Sequence, residues 1–110
     1  MKTKTEIIRR LNDKMRTGQS TDGHIVITSG VQALGEDAIA KVRIAVAQFN
    51  RFNENNDPHG EHDFGAFDCD AQHFFWKIDY YDKDLMFGSP DASDPNCTSR
   101  VLTILLAEEY

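Results

Sequence analysis

Four potential metal ligands crowd into five consecutive residues, His59-Gly60-Glu61-His62-Asp63. Imidazole nitrogen is a ligand for zinc, nickel or iron, and a neighbouring carboxylate can complete the set. The helical form His-Glu-x-x-His, which sets both imidazoles on one helix face, is absent. The alternation of Asn53, Asn55, Asp57, His59 and Glu61 invites a calcium reading. Counted from Asn53, however, an EF-hand's required Gly and Glu fall on Pro58 and Phe64. The same side chains have a plainer use, because Asn and Asp bond nearby backbone amides and hold a loop in shape. Loop capping is the preferred reading, with a metal site at His59, His62 and Asp63 as the alternative.

Acid–base catalysis without a metal needs a poised His–carboxylate pair, and two are available: His62 beside Asp63, and His73 near Asp79. Neither is accompanied by a nucleophile elbow or a phosphate-cradling Gly loop. Gly60, Gly65 and Gly88 are isolated, and Ser89 stands before Pro90 without catalytic context. Cys69 and Cys97 form no CxxC and read as free thiols, Cys69 as a small core residue in a strand.

The stretch His73–Asp82 alternates. Phe74, Trp76, Ile78 and Tyr80 point one way as a core face, while His73, Phe75, Lys77, Asp79 and Tyr81 point the other. An exposed aromatic among carboxylates has the composition of a protein-binding patch: apolar body, polar handle, acidic rim. The candidate binding residues are Asp57, Glu61, Asp63, Phe75, Asp79, Tyr81, Asp82 and Asp84.

Several elements must position these groups. Residues 5–16 read as an amphipathic helix with Ile7, Ile8, Leu11 and Met15 inward and Arg9, Arg10, Lys14 and Arg16 on the other faces. His24–Thr28 reads as a strand that Ser29-Gly30 ends. A helix over 37–52 follows, opened by Glu36-Asp37 and striped by Ile39, Val42, Val46 and Phe49. The polar loop 53–63 feeds a hairpin, 64–70 and 73–82, turning at Ala71-Gln72. Residues 85–87 read as a short strand, 88–96 as a Pro/Asp/Ser loop and 100–109 as a strand, since Val, Thr and Ile favour it. The expected fold is α+β: two helices packed on one face of a mostly antiparallel sheet of about five strands, in a single domain over 1–110.

Charge is spread unevenly over a net −6. Residues 1–17 carry six basic and two acidic side chains; residues 54–94 carry two basic and eleven acidic ones. An acidic face of that size repels phosphate and attracts a basic protein surface or a divalent cation. Direct nucleic-acid binding is therefore not expected, and a basic-arm reading through Lys2, Lys4, Arg9, Arg10, Lys14 and Arg16 is disfavoured by the overall acidity. No apolar run approaches the roughly 18–20 residues needed to span a bilayer. The start of the chain lacks a secretory apolar segment, which makes the cytoplasm the expected location.

Asn56-Asp57-Pro58-His59-Gly60-Glu61-His62-Asp63-Phe64-Gly65-Ala66-Phe67, Phe74–Asp82, Gly88-Ser89-Pro90-Asp91 and the strings Arg100–Ile104 and Leu106–Tyr110 resemble the bacterial domain-of-unknown-function family numbered 3768, over roughly residues 24–110. The resemblance implies a small protein, common in alphaproteobacteria and often plasmid-borne, with no assigned activity and no catalytic residue. The reading that follows is a non-enzymatic, acidic protein-binding module without a cofactor. In its sharper form it is an inhibitor carried by a mobile element that imitates nucleic-acid charge to block a basic partner surface. The alternative is a small metal-dependent or acid–base enzyme centred on His59, His62 and Asp63, with a divalent metal as cofactor.

Overall fold

The computed structural model describes residues 2–20 and 23–110; Thr21 and Asp22, part of the loop expected before the first strand, lie outside the described residues. Helix α1 spans Lys4–Arg16, and Thr3 caps it by accepting the Glu6 N–H at 3.1 Å. Strand β1 (His24–Ile27) runs into a single helical turn, α2 (Ser29–Gln32), and then into α3 (Glu36–Gln48). Strands β2 (Phe64–Cys69), β3 (Gln72–Tyr81) and β4 (Ser99–Leu106) complete the sheet, and a 3-10 turn covers Ala107–Glu109. The strand order is β1-β4-β3-β2, with β1 parallel to β4 and the other two pairs antiparallel.

The fold is α+β. Alternation along β3 sorts its side chains as the sequence implies: Phe74, Trp76 and Ile78 are buried under the helices. Across the sheet Trp76 stands opposite Ile104 and Ile78 opposite Leu102, and Val31, Val42, Val46, Phe49 and Met15 close the core from the helical side. The other face of the sheet carries Phe64, Phe75 and Tyr110 in edge-on and tilted ring contacts.

The structure corrects five details. Among the described residues there are four strands rather than about five, because Leu85–Phe87 forms an exposed turn instead of a strand. Leu85 lies in the left-handed region (φ 59°), and the Asp82 carboxylate accepts the Met86 N–H at 3.1 Å, so the chain reverses there. A third helix, α2, was invisible to periodicity because it is one turn long. It is fixed by the fully buried Val31 and by Glu109, which accepts from Thr28 Oγ1 at 2.7 Å and from the Gly30 N–H at 3.1 Å. Helix α3 stops at Gln48 rather than Phe52, since the Arg16 guanidinium takes the carbonyls of Val46 (2.8 Å), Ala47 (3.2 Å) and Phe49 (2.8 Å). That also puts Arg16, expected on a solvated face, in the core at 8% exposure. The hairpin turns at Asp70-Ala71, both left-handed (φ 49° and 65°), which is the primed geometry that matches strand twist.

Gly65 sits opposite Trp76, and the indole packs onto its bare backbone. A Cβ there would stand 2.7 Å from Trp76 Cε2 and 2.8 Å from Phe49 Cζ. Gly65→Ala should therefore cost about 2–3 kcal/mol by overpacking, measured by urea unfolding. The cost should shrink in a Trp76→Phe background; an equal cost in both would show that the indole is not what the methyl meets. At the turn, Ala71→Gly should stabilise the protein by about 1 kcal/mol, because an alanine in the left-handed region costs roughly that much.

Candidate functional site

The polar loops that enter β2, leave β3 and enter β4 all lie at one end of the sheet, and a buried hydrogen-bond network ties them to α1. Strand β3 overhangs β2 by four residues, Ile78–Tyr81. Loop 53–63 fills the space beside this overhang, and the Ile78 N–H donates to the Asp63 carbonyl at 2.8 Å. Asn12, fully buried on α1, is the junction. Its Nδ2 donates to the Glu61 carbonyl (3.0 Å) and to the Tyr80 hydroxyl (2.8 Å), and its Oδ1 accepts from Arg100 Nε (2.7 Å). The Tyr80 hydroxyl in turn donates to Glu61 Oε1 at 2.8 Å. Arg100 lies over the Tyr80 ring, 5.2 Å from its centroid, and donates to the Ala92 carbonyl. Arg9 Nε donates to the Gly60 carbonyl at 2.6 Å.

A second arm holds His62. Its ring stacks on Phe52 at 3.7 Å with 3° between planes. Nδ1 lies 3.0 Å from Asp13 Oδ1, and Nε2 lies 3.7 Å from Asp57 Oδ2. Asp57 also accepts the His62 N–H at 3.0 Å, and Asp13 accepts from Arg16 at 2.9 Å. Both imidazole nitrogens thus face carboxylates, and neither carboxylate is the Asp63 that sequence adjacency suggests. His73 likewise pairs with Asp68, its cross-strand neighbour, rather than with Asp79, which binds Lys77 at 2.8 Å. Among the described residues no group of three or more His, Cys, Asp or Glu is arranged to hold a metal ion; His59 is exposed.

The candidate residues divide by what they touch. Asp57 and Glu61 point inward and hold the loop; Asp63 is half-buried beside them. Phe75 and Tyr81 lie on the open face of the sheet, Phe75 against Phe64 and Tyr110. Asp82 fixes the turn, and Asp84 stands exposed next to Leu85, Met86 and Phe87, themselves 46%, 73% and 70% exposed. Those three apolar residues were missed because a strand reading gave them somewhere to pack. Asn12 and Arg16 were missed because a polar residue on a helix is ordinarily solvated; only the tertiary contacts show otherwise.

Desolvation, with the Glu61 carboxylate next in effect, raises the Asp63 carboxyl above its ordinary value. Burial raises the Tyr80 phenol strongly, opposed by the Asn12 amide and reinforced by Glu61, so it stays protonated and can donate.

The family described as protein of unknown function (DUF3768) matches residues 27–109. The chain belongs to that family. No curated protein and no solved structure matches it. The segment matched to DUF3768 holds Glu61, His62, Tyr80 and Arg100, whereas Asn12, Asp13 and Arg16 come from α1, outside it. Within the described residues no helix is long and apolar enough to cross a membrane.

Asn12→Ala should destabilise the protein by about 2–4 kcal/mol, because it strips Arg100 Nε and the Glu61 carbonyl of their partners in a buried site. Hydrogen exchange should show the amides of 57–63 losing protection with it; unchanged protection would mean the loop is held elsewhere. The raised Asp63 pKa has a definite sign. Its contribution to stability is full below the unfolded value of about 3.9 and is lost as pH rises through the folded value. Asp63→Asn should therefore raise Tm at pH 7, and the gain should vanish below about pH 4; a lower Tm at pH 7 would reverse the assignment.

Proposed function

We propose that this protein is a non-enzymatic protein-binding module. Its contact surface is the turn Asp82–Phe87, which anchors in a basic surface of a partner protein. The observation that carries the reading is the tip itself: Met86 and Phe87 are about three-quarters exposed, held out by a left-handed Leu85 and a capped turn. A backbone kept in a sparsely populated conformation so that apolar side chains face water has no role in the core of this fold. Exposed large hydrophobes near the centre of a contact supply most of its energy, while flanking charges steer the encounter. Asp84 and Asp82 supply that charge here, with Lys83 between them, while Asp79 is already bonded to Lys77. In the sharper form of this reading the module is an inhibitor that blocks a basic groove, carried by a mobile element.

The basic helix favours this reading over nucleic-acid binding, because Arg9 and Arg16 are consumed by backbone carbonyls of the same chain. The acid–base alternative is weakened by His62, whose two ring nitrogens are both turned to carboxylates.

The test places a photoactivatable phenylalanine analogue at Phe87 and crosslinks in cells. A discrete adduct to a protein with a basic surface is expected, its yield falling with added salt. Asp84→Lys should lower capture about tenfold. Asp82→Asn keeps the turn acceptor and removes only charge, so it should lower capture less. No discrete adduct, or one indifferent to salt and to Asp84→Lys, sinks the proposal.

A further inference from the structure

Strand β2 is the last strand on its side of the sheet, and no described backbone group outside the sheet bonds to it. Sheet edges left open template the pairing of another strand, and proteins ordinarily block them with Pro, Lys, a bulge or shortness. The opposite edge, β1, is only four residues long. Strand β2 has none of these devices, and the one charge it carries is Asp68. Its sequence Phe64-Gly65-Ala66-Phe67-Asp68-Cys69 lacks Pro and Lys, and its register with β3 runs unbroken from Phe64↔Lys77 to Cys69↔Gln72.

A groove of about 820 Å³ takes in this strand: Gln48, Asn50 and Arg51 after α3 wall it, Ala66, Phe67 and Asp68 line it from β2, and it continues over β3 to Ala107. Ala66 and Asp68 point to one face of the sheet and Phe67 to the other. The groove thus borders the strand that carries the open edge. Its wall is rigid, since Arg16 pins the carbonyls of Val46, Ala47 and Phe49 from behind. Asp68 is hydrogen-bonded to His73, and the Arg51 guanidinium has no partner among the described residues.

We propose that this groove binds an extended peptide segment of a partner protein, which adds a fifth strand beside β2 and sets an acidic side chain against Arg51. Main-chain hydrogen bonds to the open edge supply affinity, and the strand–helix groove selects alternate side chains. Six residues of extended chain match β2 at about 3.3 Å per residue. A second copy of this chain would bring its own net charge of −6 to the edge, which disfavours self-pairing. The groove lies toward the Asp70-Ala71 turn, roughly 20 Å along β3 from the Asp82–Phe87 tip, so the two surfaces are separate.

The test pans a phage-displayed library of random dodecapeptides against the protein and synthesises the enriched sequence. The expected peptide alternates apolar residues and carries an acid. On binding, it shifts and protects amides within 64–69. N-methylation at alternate backbone positions should weaken it at least tenfold, and so should Arg51→Glu. Replacing the peptide's acid by lysine should restore binding to Arg51→Glu. Four outcomes overturn the proposal: no enriched peptide, binding that leaves 64–69 unshifted, indifference to N-methylation, or a concentration-dependent dimer that itself protects β2.

Discussion

The acidic end of this molecule is organised around one neutral amide, Asn12, which is fully buried where α1, loop 53–63, β3 and β4 meet. Its neighbours make opposite demands. Arg100 requires an acceptor, while the Glu61 carbonyl and the Tyr80 hydroxyl require a donor. A carboxylate could satisfy only the first and an ammonium only the second; a primary amide satisfies all three at once. Burial of a guanidinium in such a place is tolerable only with partners at hand, and Arg100 donates to Asn12 and to the Ala92 carbonyl with the Tyr80 ring against its face. Position of α1, path of the loop and start of β4 are thereby set together.

Arg16 plays the matching part about one turn further along α1. Its guanidinium caps the carbonyl end of α3, where the helix dipole favours a cation, and lies between the Phe52 and Trp76 rings at 5.4 and 5.3 Å. By ending α3 at Gln48 it turns the chain so that Phe52 comes under His62. The N-terminal surplus of positive charge is therefore partly internal machinery. That changes the meaning of the charge asymmetry: Arg9 and Arg16 of the basic helix are spent on backbone carbonyls, and Asp13 of the same helix holds His62 of the acidic loop.

Two surfaces depart from this self-sufficiency. At the Asp82–Phe87 turn, apolar side chains face water without a place in the core; along β2, backbone groups face outward without a strand. Both are features a protein of this size has the means to suppress, the first by a polar turn and the second by one proline or lysine. They persist beside an interior in which, among the described residues, Arg16 Nε and Trp76 Nε1 are the buried side-chain polar atoms left without a hydrogen-bond partner.

Much of this was legible in the sequence. The alternation along 73–82 sorts Phe74, Trp76 and Ile78 into the core without ambiguity, because a strand has a period of two and a one-residue error would expose them all. The 3-4-3 spacing finds the buried stripe of α3, and the β-branched run at the end finds β4. Composition alone marks 53–63 as a capped loop. Tertiary structure decided the rest. Hydrogen-bond partners of side chains depend on which segments meet, so His62 finds Asp13 and Asp57 rather than its neighbour Asp63, and His73 finds Asp68 across the ladder. Short elements such as α2 carry too few residues for a period and exist only because Val31 and Glu109 hold them. Whether Asn12 and Arg16 are solvated or buried is set by an environment 30 to 88 residues away in sequence, as the Arg16–Val46 and Asn12–Arg100 bonds show. Periodicity is local and can be read along the chain; satisfaction of a buried polar group is non-local and cannot.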